Sequence, residues 1–416
     1  MKGKLAKNTV LYVFFDILVK IIPFLLIPIV TSFLSISEYG EVSLFQSIVE
    51  IATIVVVCGG HQRYRFLYFK DKDKDKDKDK DKDKDIHLFI QPIISSFIFF
   101  ILILAVAVFL YSIVDVSIWI LCVPFVAFSQ SIISLFICRL QNEEKPKLIG
   151  LLSAMLSSLS LGLAIFLLNI GWGLEGRIWS IIFAPLIIGT VLLLVTLNKL
   201  NFRLIKNYFN NISDFIKHSL MYLPTSLSWW ARNGMDRFII NSVSGAVSLG
   251  IFSLLTQLSM VLTVVGIAMN NAIMPTIFRL IKKDNYQQTF KVIAVFCLIL
   301  VTGTAVLLML FPFFIRNFLS EEYWVAIGYI HWSLISANVY IIYLMLTNLL
   351  VASNLSGKLS ILSIISSFFH VALSWLLVHE YGLNGIFYSA ITSYSLSIVL
   401  LICLLYFSRR YEADAS

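Results

Sequence analysis

Long apolar runs separated by short polar segments dominate the chain. Runs of about 18 to 25 apolar residues recur along its whole length, and about 20 helical residues cross the hydrocarbon core of a bilayer. The pattern predicts an all-α integral membrane protein with about twelve transmembrane helices. The predicted spans are 10–34, 42–60, 88–112, 117–138, 148–168, 174–197, 218–243, 247–274, 290–315, 325–352, 359–378 and 384–407.

A polar, partly basic segment divides these spans into two sets. Segment 199–217, KLNFRLIKNYFNNISDFIK, alternates apolar and basic residues at near-helical spacing, which favours an amphipathic helix on the cytoplasmic surface. We therefore predict an N-terminal six-helix bundle over 1–198, an interfacial linker over 199–217 and a C-terminal six-helix bundle over 218–416. The alternating Lys–Asp run at 70–85 has nothing apolar to bury and predicts a solvated, disordered cytoplasmic loop.

Short motifs recur between the two halves at an offset of about 210 residues. The Gly40 turn after the first span corresponds to the Gly250 turn after the seventh, and the Gly173 turn corresponds to the Gly382 turn. Because each half has an even number of spans, both copies enter the membrane in the same sense. This arrangement gives parallel halves related by an axis along the membrane normal, with substrate expected between them.

Composition and charge agree with a membrane protein. The chain is 59% hydrophobic and 13% charged with a mean hydropathy of +0.88, whereas a soluble domain is about a quarter charged. Lys and Arg collect in alternate loops, so both termini are predicted to be cytoplasmic. The formal charge of +8 therefore reflects topology, and no nucleic-acid partner is predicted. The five cysteines show no paired spacing, so neither a disulfide framework nor a metal site is expected.

Charged residues inside the seventh span are the main candidates for function. Segment 219–244 carries Arg232, Asp236 and Arg237 at membrane depth, where charges are costly and mark functional sites. Arg232 and Asp236 are four residues apart, so on a helix they share one face and partly neutralise each other, which leaves Arg237 as surplus positive charge. We interpret this segment as one wall of an anion-accepting cavity; the alternative is a structural ion pair between Arg232 and Asp236.

The first two spans add further charged residues. Asp16 and Lys20 share one face of the first span, and Pro23 and Pro28 predict a bend in its outer half. The second span carries Glu50. Charges at this depth usually face a cavity. The alternative for Asp16 and Lys20 is that they pair with each other and pack.

The order of short motifs along the chain resembles that of a known family. In chain order these motifs are Asn8 before a span with Pro23 and Pro28, the Glu38-Tyr39-Gly40 turn, the Asp236-Arg237 pair, the Gly250-x-Phe252 turn and the Tyr381-Gly382-Leu383-x-Gly385 turn. They resemble the O-antigen flippases, polysaccharide transporters of the multidrug/oligosaccharidyl-lipid/polysaccharide (MOP) superfamily. The resemblance covers essentially the whole chain.

That resemblance implies a fold and a function. It implies two MATE-like six-helix bundles around a central cavity in the bacterial inner membrane. The expected activity is translocation of an undecaprenyl-pyrophosphate-linked oligosaccharide, an O-antigen or capsule repeat unit, from the cytoplasmic to the periplasmic leaflet by alternating access. The expected partners are this lipid-linked substrate, membrane lipids, a polysaccharide polymerase and a chain-length regulator.

A pyrophosphate headgroup needs a wet, positively biased site. Lys20, Arg232 and Arg237 are the expected ligands, since a guanidinium group makes forked contacts with phosphate oxygens. Asp16, Asp236 and Glu50 are expected to hold these cations or to exchange a coupling proton or sodium ion. No other cofactor is predicted.

Two transporters of the same superfamily remain as alternatives. A multidrug exporter for cationic drugs would favour acidic residues, whereas the central residues of spans 1 and 7 are net positive here; a lipid II flippase usually has two additional spans. A membrane enzyme, such as a polymerase or glycosyltransferase, would need a sizeable extramembrane loop with acid–base or metal-binding groups. The chain contains no HExxH, Walker or GxSxG motif, so no enzyme activity is predicted.

Overall fold

The computed structural model describes residues 24–72, 81–114, 117–198, 212–283 and 285–415, without the side chains of 71–72, 81–87 and 408–415. Within these residues the chain is helical, and ten helices are long and apolar enough to cross a membrane. The prediction of an all-α membrane protein is therefore confirmed.

The helices are numbered in chain order. Their bounds are α1 Phe24–Phe33, α2 Ile36–Val57, α3 Gly60–Lys72, α4 Asp81–Ile113, α5 Val123–Asn142, α6 Pro146–Asn169, α7 Gly173–Leu197, α8 Ile212–Leu220, α9 Leu223–Asn233, α10 Met235–Lys282, α11 Tyr286–Phe318, α12 Ile330–Ala352, α13 Ser356–Tyr381 and α14 Leu383–Ala415. Short 3₁₀ helices precede α5 (Ile118–Leu121) and α12 (Glu321–Gly328).

One continuous helical path contains two of the predicted spans. It runs over Leu223–Lys282, and Gly245 interrupts it with a non-helical backbone (φ 81°, ψ 174°). Glycine adopts this conformation without the steric penalty of a Cβ. Of the predicted first span, the structure describes the outer part as α1, which contains Pro28.

The chain forms two compact units. Among described residues, the first consists of Phe45–Trp230, in which α5 packs against α4, α6 and α7. A Cβ placed on Gly189 of α7 would lie 2.7 Å from the Cβ of Ser129 on α5. Small residues therefore let these two helix backbones approach closely, as is common where helices associate within membranes.

The second unit consists of Phe24–Leu44 together with Ala231–Ser416. Here α12 packs against α10 and α14, and α13 packs against α14. Buried polar pairs join α10 to α12: the Ser259 and Ser333 hydroxyls are 2.7 Å apart, and Asn348 Nδ2 donates to Asn270 Oδ1 at 2.8 Å. In an apolar environment each partner satisfies a group that would otherwise be costly to bury.

These units differ from the predicted halves in two places. Phe24–Leu44 belongs to the second unit, and the later boundary falls within α9 instead of at 199–217. The first difference arises because residues at the end of α1 and just after it accept hydrogen bonds from the start of the 3₁₀ segment before α12. The Tyr323 hydroxyl donates to the Leu34 carbonyl at 2.8 Å, and the Ser320 hydroxyl donates to the Thr31 carbonyl at 2.7 Å.

Two glycines from equivalent positions of the sequence repeat meet in the second unit. A Cβ on Gly40 would overlap the Ala246 carbonyl oxygen, and a Cβ on Gly250 would overlap the Ile36 carbonyl oxygen. Both pairs, Gly40 with Gly250 and Ile36 with Ala246, differ by 210 in residue number. We call this reciprocal contact the repeat crossing; it gives the sequence repeat a structural counterpart.

The Lys–Asp run is helical at both ends. Helix α3 continues to Lys72 and α4 begins at Asp81, so the prediction of a disordered loop over 70–85 is wrong for residues 70–72 and 81–85; residues 73–80 lie outside the described ones. Each end extends an adjoining helix, which already provides the costly helix nucleus.

The predicted interfacial linker is described only over 212–217, in α8. This part packs against α3 and α4 within the first unit. Phe215 is buried there, and Asp214 Oδ2 lies 3.6 Å from Arg63 Nη2. Residues 199–211 lie outside the described ones.

Candidate functional site

A helix break separates the charged residues of the predicted seventh span. Helix α9 ends at Asn233, Gly234 follows with φ −104° and ψ −34°, and α10 begins at Met235. Arg232 and Asp236 therefore lie on different helices. Both side chains still face α13, so the predicted shared face is kept across the turn, although the predicted single helix over 218–243 is interrupted at Gly234.

Hydroxyl groups and an aromatic ring enclose Arg232. Its Nη1 donates to Ser366 Oγ at 3.0 Å, and its Nη2 donates to Ser397 Oγ at 3.2 Å and to Ser393 Oγ at 3.5 Å. The guanidinium carbon lies 3.9 Å from the centroid of the Tyr394 ring. The residue is 7% exposed, so the expectation that Arg232 projects into a hydrated space does not match this geometry.

Asp236 pairs with a histidine that the sequence analysis did not single out. His370 Nε2 lies 3.1 Å and 3.3 Å from the two carboxylate oxygens, and Ser374 Oγ donates to Oδ1 at 3.2 Å. Asp236 is 6% exposed and His370 is 1% exposed. The alternative interpretation, a structural ion pair between Arg232 and Asp236, does not match this geometry, because Asp236 pairs with His370.

Ser393 links these two groups into one network. Its hydroxyl lies 3.0 Å from His370 Nδ1 and also accepts from Arg232. We call the eight residues concerned the buried network; they are Arg232, Asp236, Ser366, His370, Ser374, Ser389, Ser393 and Ser397. Its members belong to α9, α10, α13 and α14, all within the second unit.

The network residues follow a spacing that was visible in the sequence. Ser366, His370 and Ser374 are four residues apart along α13, and so are Ser389, Ser393 and Ser397 along α14. Residues at this spacing share one face of a helix, so the pattern places two polar stripes on otherwise apolar helices. This spacing could have identified His370 as a candidate site residue from the sequence. It does not show which residues either polar stripe contacts.

Arg237 has a different environment from Arg232. Its Nε donates to Ser43 Oγ at 2.9 Å, and its Nη1 donates to the Asn233 carbonyl at 3.2 Å. These bonds tie the start of α10 to α2 within the second unit, while the side chain stays partly exposed. The guanidinium group is therefore held in position by two neutral oxygens.

The other predicted site residues are placed only in part. Glu50 is exposed on α2, in a helix whose hydropathy suits a membrane span. Asp16 and Lys20 lie outside the described residues, so their part in the site stays a prediction. Among the residues that the structure describes, no group of three or more His, Cys, Asp and Glu is arranged to hold a metal ion.

A known protein family matches this chain. Residues 5–281 match the family described as polysaccharide biosynthesis protein. Comparison with curated proteins finds no match.

Several solved transporters share the fold at low sequence identity. A multidrug resistance MATE family transporter of the MOP superfamily, in its inward-facing conformation, aligns with a TM-score of 0.67 at 15% identity, over 97% of this chain and 96% of that one. A MATE transporter in the straight conformation aligns with a TM-score of 0.63 at 17% identity, over 98% and 97%. A MOP superfamily transporter from Pyrococcus furiosus Vc1 (DSM3638), described by a binding pocket of reverse polarity, aligns with a TM-score of 0.61 at 17% identity, over 97% and 96%.

Proposed function

Because the chain belongs to the polysaccharide biosynthesis protein family and has the fold of MOP superfamily transporters, we propose that it is a flippase for lipid-linked oligosaccharides. Its substrate is an undecaprenyl-pyrophosphate-linked repeat unit of O-antigen or capsule. It moves this lipid from the cytoplasmic to the periplasmic leaflet of the bacterial inner membrane by alternating access. It is a transporter without enzyme activity.

The observation that carries this proposal is the partial exposure of Arg237 and the absence of a charged partner among its described hydrogen bonds. Its guanidinium group is partly exposed on a helix of membrane-spanning hydropathy, and its described hydrogen-bond acceptors, Ser43 and Asn233, are uncharged. A positive charge at membrane depth is energetically costly, so such charges usually serve a function. The fork of an arginine fits phosphate oxygens, so Arg237 is the ligand that we assign to the pyrophosphate.

Arg232 takes a positioning role in this proposal. Its bonds to Ser366, Ser393 and Ser397 attach the end of α9 to α13 and α14. The Gly234 break lies between this anchor and Arg237, so a fixed α9 holds the start of α10 in place. Arg232 therefore sets the orientation of Arg237 and does not itself contact substrate.

Asp236 and His370 are the groups that we assign to energy coupling, with a proton as the coupling ion. When His370 is neutral, the Ser393 hydroxyl can donate to its Nδ1; when Nδ1 is protonated, the same hydroxyl can turn to the Ala390 carbonyl, 3.2 Å away. One proton is thus accommodated by one hydroxyl rotation. Hard cations prefer oxygen ligands, whereas both oxygens of Asp236 face an imidazole nitrogen, which favours a proton over sodium.

A multidrug exporter is the second candidate, since the solved transporters with this fold include a multidrug transporter. Cationic drugs require acidic ligands, whereas the partly exposed charged residue beside the Gly234 break is Arg237. The same charge favours an anionic substrate such as a lipid-linked oligosaccharide or lipid II.

Transport by purified protein in liposomes tests the proposal. The substrate is a short undecaprenyl-pyrophosphate-linked oligosaccharide, and its arrival in the opposite leaflet is followed by protection from a membrane-impermeant glycosidase. Arg237→Ala is expected to reduce the rate at least tenfold and Arg237→Lys by less, because lysine keeps the charge without the fork. Arg316→Ala, at an exposed arginine near the end of α11, is the matched control.

Equal rates for the wild type and Arg237→Ala would overturn the assignment of the pyrophosphate ligand. Faster movement of a cationic dye than of the lipid-linked oligosaccharide would instead support the exporter. Lipid II, offered in the same assay, separates the two lipid substrates.

A further inference from the structure

A second cationic feature lies at the other end of α2, in the first unit. Helix α2 ends at Val57 because Cys58 (φ 46°) and Gly59 (φ 71°) adopt left-handed backbone conformations, and α3 begins at Gly60. A Cβ on Gly59 would overlap the Ser219 carbonyl oxygen and lie 2.8 Å from the Cβ of Tyr222. The start of α3 is therefore packed against the turn between α8 and α9.

Helix α3 has one buried face and one exposed aromatic face. Tyr64 is fully buried against Phe89 and Leu135. Phe66 and Phe69 are 50% and 49% exposed. Exposed phenylalanines on a helix that continues a membrane span are typical of the membrane–water interface. The distribution of Lys and Arg predicts that this end of the span is cytoplasmic.

These aromatic residues line a groove together with two cations. The groove has a volume of about 600 Å³, and its lining residues are Gln62, Arg65, Phe66, Phe69, Lys70 and Tyr222. Arg65 Nη2 donates to Gln141 Oε1 and lies 3.8 Å from Cys138 Sγ, which fixes the guanidinium group at the groove. Lys70 Nζ lies 5.8 Å from the centroid of the Phe66 ring.

The described side chains that line the groove carry a net positive charge. No carboxylate is among these lining residues, and the nearby Asp214 is already paired with Arg63 at 3.6 Å and with His218 at 3.3 Å. Basic residues near an anionic membrane surface attract anionic lipids. Two cations beside three aromatic rings thus match a phosphate with attached acyl chains.

We propose that this groove is a binding site for one anionic phospholipid of the cytoplasmic leaflet. Arg65 and Lys70 contact the phosphate, while Phe66, Phe69 and Tyr222 contact the glycerol backbone and the first acyl carbons. The bound lipid holds α3 at the membrane surface. This proposal does not rest on the identity of the transported substrate, because it concerns a different set of residues.

Native mass spectrometry of the full-length protein tests the site. The detergent-purified protein is titrated with phosphatidylglycerol or with phosphatidylcholine of the same acyl chains. We expect the wild type to retain one phosphatidylglycerol, and Arg65→Gln/Lys70→Gln to bind it at least tenfold more weakly. Lys147→Gln/Lys358→Gln removes the same charge from two exposed lysines outside the groove and is expected to bind like the wild type. Phe66→Ala/Phe69→Ala is expected to weaken binding through the apolar contacts.

Three results would overturn the proposal: equal binding by the groove variant and the control variant, equal retention of the two phospholipids by the wild type, or tighter groove-dependent binding of undecaprenyl pyrophosphate than of phosphatidylglycerol. The last result would reassign the groove to the polyprenyl carrier. Gel filtration and thermal unfolding without added lipid establish that each variant is folded. Arg237→Ala is expected to retain the phospholipid normally, so failure of the flippase proposal and failure of this one are distinguishable.

Discussion

Arg232 keeps a full positive charge in an apolar bundle because the network around it bonds to both Nη atoms, although its buried Nε has no hydrogen-bond partner among the described residues. Three serine hydroxyls accept from its two Nη atoms, and Tyr394 covers the face of the guanidinium group. Asp236 supplies the opposite charge through His370 and Ser393. With His370 neutral, the network carries no net charge, which is the condition under which buried ionic groups are tolerated.

Replacement of Arg232 by Ala should therefore destabilise the protein. It removes the hydrogen bonds from the guanidinium group to three serine hydroxyls, and each hydrogen bond to a charged group contributes roughly 1.5–3 kcal/mol. Thermal unfolding in detergent measures the effect, and Arg237→Ala, which removes a partly exposed arginine, is the control with a smaller expected shift. Equal unfolding temperatures for the two variants would contradict the positioning role of Arg232.

Replacement of His370 by Gln tests proton coupling at the same network. Glutamine can bond to Asp236 and Ser393 but does not titrate, so transport should lose its dependence on an imposed pH gradient while the protein stays folded. Transport into liposomes is measured with a pH gradient, a sodium gradient, or neither. A variant that still responds to the pH gradient, or a wild type driven by sodium alone, would exclude this role for His370.

The sequence identified the charged residues of the network but not their partners. Arg232 and Asp236 stand out because charges are rare in apolar runs. His370 was within reach through the serine spacing on α13, but its pairing with Asp236 depends on how distant helices pack.

At the scale of elements, the apolar runs predicted most helices and two of their breaks. Predicted span 148–168 corresponds closely to α6, Pro146–Asn169. The predicted end of one span at 60 and the predicted gap at 244–246 lie at the breaks observed at Gly59 and Gly245. The break at Gly234 was not predicted, because glycine also occurs inside continuous helices. The helical ends of the Lys–Asp run were missed because a polar segment can continue a helix that is already nucleated.

The repeat crossing gives a prediction for α2 and α10. Gly40→Ala or Gly250→Ala places a methyl group against a backbone carbonyl oxygen. Unlike a flexible side chain, this backbone atom cannot move aside easily. Overpacking of this kind costs about 1–3 kcal/mol, so both variants should unfold at lower temperature than the wild type.

Gly303→Ala is the matched control for the crossing variants. A Cβ at Gly303 would meet its nearest neighbour, Leu262 Cδ1, at 3.9 Å, which is an ordinary contact. Alanine also favours a helix over glycine, so this variant should be as stable as the wild type or more so. If Gly40→Ala and Gly303→Ala behaved alike, the close approach at the crossing would be excluded.

At the scale of the whole molecule, the family and the fold were predictable because they depend on the order of spans and motifs along the entire chain. The boundaries between the two units were not predictable from the sequence. The prediction cut the chain where its composition changes, whereas Phe24–Leu44 belongs with Ala231–Ser416 through bonds from Tyr323 and Ser320. Composition carries no information about such long-range contacts.

Labelling of single cysteines tests the predicted orientation of the molecule. In a background with all five native cysteines replaced by serine, Asn169→Cys should react with a membrane-impermeant maleimide on intact spheroplasts, because the loop after α6 is predicted to be periplasmic. Lys358→Cys should react only after the membrane is permeabilised. The reverse pattern would place both termini outside and would invert the direction of transport that we propose.

The repeat crossing also bears on the origin of the chain. Gly40 meets the backbone near Ala246 as Gly250 meets the backbone at Ile36, which is the reciprocal arrangement found where two identical subunits associate about a two-fold axis. A gene duplication that fused two copies of a six-helix ancestor would preserve this contact within one polypeptide. Such an origin would account for a glycine at the same repeat position, 210 residues apart, on both sides of the contact.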